Sequence, residues 1–169
     1  QTVGTPQLSP DGAWVAYTVT STSLEKESSE TRIWIAPVGG GEPIAMTAQG
    51  SSAGSPEFSP DGRYLTFTAS RGEGAKTQVW ALDRRGGEAN PLTSVPQGVR
   101  GYSWSPDGSR LALLIRDQDP ETVDSTKTWT SDRPRPYVSD RLQFKRDGAK
   151  YLNRRRTHIY VLDLESSTL

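Results

Sequence analysis

The chain has 169 residues with no Cys, 16 Gly, 12 Pro, a hydrophobic fraction of 33% and a formal net charge of zero. That length holds one domain with a real core, and the turn-rich composition favours many short elements over a few long helices. The lack of Cys excludes a disulfide framework and thiolate metal sites. No apolar run approaches the roughly 20 residues of a membrane span, so a soluble chain is expected.

The sequence opens on Gln1 without a basic and apolar signal segment. A mature secreted product and an excised piece both fit that start, so the compartment stays open. The first predicted strand runs up to Leu8 and meets the tetrapeptide SPDG at 9–12. The same tetrapeptide returns at 59–62 and 105–108, and its aspartates Asp11, Asp61 and Asp107 lie 50 and 46 residues apart. Those spacings suit the blades of a propeller or a comparable repeat array.

The register around each copy repeats as well. Three residues before the aspartate stands Leu8, Phe58 or Trp104. Four, six and eight residues after it stand Val15, Tyr17 and Val19, then Leu65, Phe67 and Ala69, then Leu111, Leu113 and Ile115. Apolar alternation with period two, three times in phase with one turn, predicts strand, turn, strand with that face buried. Within the turn, Pro presets a type I geometry, Asp suits the third position, and Gly takes the left-handed conformation.

Further along, TRIWIAPV and TQVWALD predict a third strand in the first two units. Gly-rich turns (GGGEP, RGGEANP) and short strands (PIAMT, NPLTS) follow them. The third unit offers GYSWS, RLALLIRD and, much later, THIYVLDLES, with its fourth strand expected beyond Leu169. The fold class is therefore all-β: part of one propeller domain over 1–169, built of four-stranded antiparallel blades. Blade 1 is expected over about 5–49, blade 2 over about 54–96, and an incomplete blade 3 over about 99–169.

Inside the third unit, residues 117–136 are polar and rich in Pro, Asp and Thr, which predicts a long loop; its Trp129 either ties it to the domain, the reading adopted, or awaits a partner. The fourth lookalike, KRDG at 145–148, fails the register test, because positions four, six and eight after Asp147 hold Tyr151, Asn153 and Arg155. It is predicted to be an inserted hairpin, with Asp147-Gly148 in a tight turn and Phe144 opposite Tyr151. From Arg133 to His158 there are nine Lys or Arg and two Asp, a net +7 against −7 for the remainder. The reading adopted is neutralisation of acidic surface within the protein. A nucleic acid partner is not expected, because stacking aromatics are not interleaved with the basic residues.

Candidate chemistry is sparse. GSSAG at 50–54 matches G-x-S-x-G with Ser52 central, but two prolines follow within SPEFSPDG, so the helix that a nucleophile elbow requires cannot start. His158 is the single histidine and opens a predicted strand; a triad through Ser52 is conceivable on paper but is rejected, because the chain leaves no room for a hydrolase sheet. One His without Cys argues against zinc, acids falling singly at turns argue against a calcium loop, and no phosphate-binding glycine pattern occurs. The aspartates of the three SPDG turns are assigned to turn hydrogen bonding. No catalytic, cofactor-binding or metal residue is expected on this chain.

SWSPDGSRLALLIRD together with RPYVSDRLQFKRDGAKYLNRRRTHIYVLDL resembles the amino-terminal propeller of the prolyl oligopeptidase family of serine peptidases, nearest its acylaminoacyl-peptidase-like branch. The likeness covers nearly the whole chain and is carried most specifically by the hairpin block. The chain departs from the pattern at Lys150, where Gly is usual, and at Asn153 and Arg154, where acids are common. The resemblance implies a two-domain enzyme in which the propeller screens short peptides before an α/β-hydrolase domain carrying Ser, Asp and His. That domain would be absent here, leaving a propeller piece without activity. Its implied partners are the missing hydrolase domain or remaining blades, and copies of itself through open sheet faces. A Tol-like propeller that binds proteins is the alternative. An excised or engineered part-propeller that assembles by symmetry is a third.

Overall fold

The computed structural model describes residues 1–23, 27–72, 74–118, 145–146, 150–151 and 155–169. Strands β1 (Thr2–Leu8), β2 (Trp14–Ser23), β3 (Ser28–Pro37) and β4 (Ile44–Ala45) form one antiparallel sheet in the order 1-2-3-4. β5 (Ala53–Phe58), β6 (Tyr64–Ala69), β7 (Gln78–Asp83) and β8 (Asn90–Pro91) form a second in the same order. In the third, β10 (Arg110–Arg116) lies between β9 (Val99–Trp104) and the distant β13 (Thr157–Asp163). The short pair β11 (Lys145–Arg146) and β12 (Lys150–Tyr151) falls in the segment between β10 and β13. The described residues contain no helix. The chain is a partial β-propeller.

The three SPDG turns share one set of hydrogen bonds. The amides of Gly12, Gly62 and Gly108 donate to the carbonyls of Ser9, Ser59 and Ser105 at 2.8–2.9 Å, and the glycines sit at φ of +68°, +69° and +73°. Each serine hydroxyl accepts the amide that opens the next strand, from Trp14, Tyr64 or Arg110, at 2.9 Å. The same hydroxyl donates to its own Asp11, Asp61 or Asp107. That carboxylate accepts the amide of Ala13, Arg63 or Ser109. Pro and Gly set the backbone, and Ser with Asp satisfies the amides that the turn leaves without ladder partners.

The core lies between the sheets, in two layers. Ala16, Ile33 and Ile35 of the first sheet pack on Phe58, Leu65 and Phe67 of the second. On the second sheet's other side, Val79 and Val95 meet Val99, Leu111, Leu113, Ile115 and Leu162. The alternation reading therefore holds in the second and third sheets and needs correction in the first. There Val15, Tyr17 and Val19 are only half-buried, and the buried positions of β2 are Ala16 and Thr18 on the opposite face. The register is unchanged. What differs is that, among the described residues, only the face towards the second sheet has another sheet packed against it. The middle sheet, covered on both sides, buries consecutive residues Leu65, Thr66 and Phe67, as a doubly packed strand must.

A second device repeats without having been foreseen. Gly4-Thr5-Pro6 and Gly54-Ser55-Pro56 both form bulges, at which Thr5 and Ser55 take φ of 45° and 49°. In each case a threonine of the next strand, Thr18 or Thr68, donates to the glycine carbonyl at 3.0 Å. The third sheet has Leu114 at the corresponding ladder position, paired with Gly101.

The inserted hairpin differs by one residue from expectation. Tyr151 pairs with Lys145, and Arg146 with Lys150, so three residues separate the strands. Three-residue connections form hairpins almost as readily as two-residue turns, and Phe144 opposite Tyr151 is thereby ruled out. Phe144 itself, Trp129, and most of the 117–136 loop and of the basic segment lie outside the described residues.

Candidate functional site

The deepest polar network lies between the second and third sheets. Thr66 is fully buried on β6, and its hydroxyl donates to the Glu57 carbonyl at 2.9 Å. The Trp104 indole donates to the same Oγ1 at 3.0 Å. The Tyr102 hydroxyl lies 3.0 Å from it and donates to the Ser55 carbonyl at 2.8 Å. Thus β9 of one sheet takes up the carbonyl of the left-handed residue in the sheet before it. Burial pushes the Tyr102 phenol well above its ordinary range, so it stays a neutral hydrogen-bonding group. Burial also raises the Glu57 carboxyl, opposed by the Trp104 backbone amide.

Over this network, at the rim carrying the SPDG turns, a cleft of about 670 Å³ opens. Its walls carry Asp61, Asp83, Glu88 and Asp107, and its floor Leu92, Trp104 and Leu164. Three of the four acids are already engaged. The Ser59 hydroxyl holds Asp61 below the usual carboxylate range, and the Ser105 and Ser109 hydroxyls hold Asp107 at about 2. The Arg85 guanidinium, 2.6 Å away, holds Asp83 lower still, with Arg63 at 3.1 Å on the same oxygen. Carboxylates so held are ionised acceptors at ordinary pH, suited to fixing turns and unsuited to donating a proton.

Arg84 ties the first two sheets together at this rim. It donates to the Gly62 carbonyl at 2.9 Å and lies over the Trp14 and Phe58 rings at 5.7 and 5.3 Å, a cation held by two aromatic faces. The turns themselves also touch. A Cβ placed on Gly62 would meet Pro10 at 3.7 Å, and one on Gly108 would meet Pro60 at 3.6 Å. The proline of each SPDG thus lies against the glycine of the next.

Ser52 and His158 are not brought into one constellation. Ser52 sits in the link between β4 and β5, where its hydroxyl accepts the Thr31 amide at 3.2 Å. His158, on β13, contacts Asp117 at 3.1 Å, and Asp117 also accepts the Arg156 amide. No hydrogen bond joins Ser52 to His158. Among the described residues no three His, Asp or Glu form a group that could hold a metal ion.

Sequence reasoning found the turn aspartates and gave them their observed role. It missed Tyr102, Thr66, Trp104 and Arg84, which act across sheets. The one available signal was Tyr102 standing where the first two units have Pro6 and Pro56.

The family model for the TolB beta propeller domain matches residues 1–134. An uncharacterized peptidase of Bacillus subtilis, YuxL, is 36% identical over 66 residues, 39% of this chain and 10% of that protein. Among solved structures, the acylaminoacyl peptidase of Pyrococcus horikoshii aligns with a TM-score of 0.74 and 21% identity, over 99% of this chain and 24% of its own. The propeller domain of the trilobed protease from Pyrococcus furiosus, described as having an open velcro topology, aligns with a TM-score of 0.59 and 18% identity. That alignment covers 98% of this chain and 40% of that one. The chain therefore spans a small part of the proteins it resembles.

Proposed function

The chain belongs to the TolB beta propeller domain family, and from that premise we propose that it is the non-catalytic propeller portion of a serine peptidase acting on short peptides. In this reading the propeller limits access to a hydrolase domain that residues 1–169 do not contain. The observation that carries it is the alignment of 99% of this chain with 24% of the Pyrococcus horikoshii acylaminoacyl peptidase, with the short match to a Bacillus subtilis peptidase beside it. The residues agree with it. Among the described residues, Ser52 is an acceptor for a strand amide, and the polar groups of Tyr102 and Trp104 are engaged in inter-sheet contacts.

A Tol-like propeller whose partners are other proteins is the second reading, favoured by the family match over residues 1–134. A hydrolysis assay separates the two. Under the peptidase reading, residues 1–169 alone leave acylated and free short peptides intact, while the longer gene product cleaves short peptides and spares folded proteins. A longer product without peptidase activity selects the Tol-like reading. Turnover by residues 1–169 alone, lost in Ser52→Ala, overturns both.

A further inference from the structure

Strand register makes the two junctions between sheets comparable residue by residue. Tyr64 pairs with Asp83 and Arg110 with Asp163, so Arg84 and Leu164 hold one position, just past the third strand of their sheets. Their amides agree, donating to the carbonyls of Arg63 and Ser109. At the junction of the first and second sheets this position supplies a cation. The Arg84 guanidinium lies 5.7 Å from the centre of the Trp14 ring and 5.3 Å from that of Phe58, and its Nη1 donates to the Gly62 carbonyl at 2.9 Å. Its charge also reaches Asp11, whose carboxyl is lowered first by the Ser9 hydroxyl and the Ala13 amide. Two aromatic rings, one carbonyl and one carboxylate thus seat a guanidinium.

At the junction of the second and third sheets the parts of that seat recur without the cation. The counterparts of Trp14, Phe58, Gly62 and Asp11 are Tyr64, Trp104, Gly108 and Asp61, and all four line the cleft of about 670 Å³. In place of Arg84 stands Leu164, which packs on the apolar layer beneath. The glycines register the difference. A Cβ on Gly62 would have Arg84 Nη1 among its three nearest atoms, at 3.8 Å, whereas the three nearest to one on Gly108 all belong to Pro60. The Tyr64 ring already carries the Arg63 guanidinium at 4.9 Å, so this rim does take such cations. Among the described residues no cation lies over Trp104. Asp107 and Glu88 add two further carboxylates to the cleft walls.

We propose that this cleft docks an arginine side chain presented by a peptide segment, with the guanidinium over Trp104, beside Asp61 and Glu88, and donating to the Gly108 carbonyl. Charge complementarity selects the occupant. The walls carry carboxylates over an apolar floor, so a cation on an apolar stem satisfies both, its methylenes covering Leu92 and Leu164. Guanidinium is preferred to ammonium because, as Arg84 does, it can lay a flat face on a ring while its edge donates to a carbonyl. The cleft has room for more than one side chain, so residues flanking the arginine enter with it. Both walls are formed by the second and third sheets themselves. The inference is independent of the peptidase reading, and its test reads binding and not hydrolysis.

The test is a proton–nitrogen NMR titration of the 18.5 kDa chain with an end-blocked Gly-Arg-Gly peptide. Matching peptides carry citrulline, which is isosteric and uncharged, or lysine in place of arginine. The arginine peptide is expected to shift the Gly108 amide and the Trp104 indole N–H saturably. The citrulline peptide is expected to leave them in place, and the lysine peptide to bind more weakly. Glu88→Gln, at an exposed position, is expected to weaken arginine binding about two- to fivefold, the range for one exposed ion pair. Leu164→Arg installs the counterpart of Arg84 and is expected to abolish binding by filling the seat from within. An arginine peptide that moves neither group overturns the proposal, as do equal affinities for the citrulline or lysine peptide. So does undiminished binding to a folded Leu164→Arg variant. If that variant does not fold, an unchanged affinity in Glu88→Gln overturns the proposal in its place.

Discussion

At the scale of single residues, the repeated tetrapeptide acts as a self-contained turn. Ser accepts one strand amide and donates to Asp, Asp accepts a second amide, and Gly supplies the left-handed backbone. The local pattern explains why all of this was legible in the sequence: every partner lies within five residues. The exchanges across sheets were not legible, because Tyr102 reaches Ser55 and Trp104 reaches Thr66 over 47 and 38 residues. The turn chemistry has a consequence for pH. The Ser105 and Ser109 hydroxyls hold Asp107 at about 2, against an ordinary 3.8. A depressed carboxyl stabilises the fold above its unfolded value, and that contribution is lost as pH falls through the folded value. Asp107→Asn is therefore expected to lower the urea midpoint slightly at neutral pH and to flatten the acid limb between about pH 4 and pH 2. An acid limb identical to wild type would mean that the carboxylate does not hold the turn. The group is fully exposed, so the effect is small.

At the scale of strands and sheets, the period-two pattern located β2, β6 and β10 and their register against the preceding strand. It could not say which face is buried, because that depends on which neighbours are present. In the first sheet the predicted face is the half-buried one, and Ala16 and Thr18 are inside. The bulges at Thr5 and Ser55 were equally hidden. Their left-handed backbone is held by Thr18 and Thr68 from the adjacent strand, which the glycine and proline around them do not announce. Equivalent positions in different sheets should then differ in what they contribute. Phe67 is 1% exposed between two sheets, whereas Tyr17 at the same register position is half-buried. Phe67→Ala is expected to cost about 3–5 kcal/mol and Tyr17→Ala about 1 kcal/mol in urea denaturation of the monomer. Equal costs would mean that Tyr17 is buried by something in solution.

At the scale of the whole molecule, three sheets share two apolar layers, with a rim of stacked SPDG turns. The repeat spacing and the strand order were readable from the sequence because the unit is written nearly the same way three times. The contacts that join the units were not, since Arg84 between Trp14 and Phe58 has no fixed sequence signature. A propeller satisfies its sheet edges and faces through neighbouring blades, and the chain aligns with only a quarter of a peptidase of known structure. The central claim is that these sheets serve a serine peptidase. Sequencing the gene beyond the codon for Leu169 tests it most directly. The expected result is further blades or a hydrolase segment with G-x-S-x-G between a predicted strand and helix, followed by an Asp and then a His. A frame that closes after propeller repeats alone, with no such element, would contradict the claim.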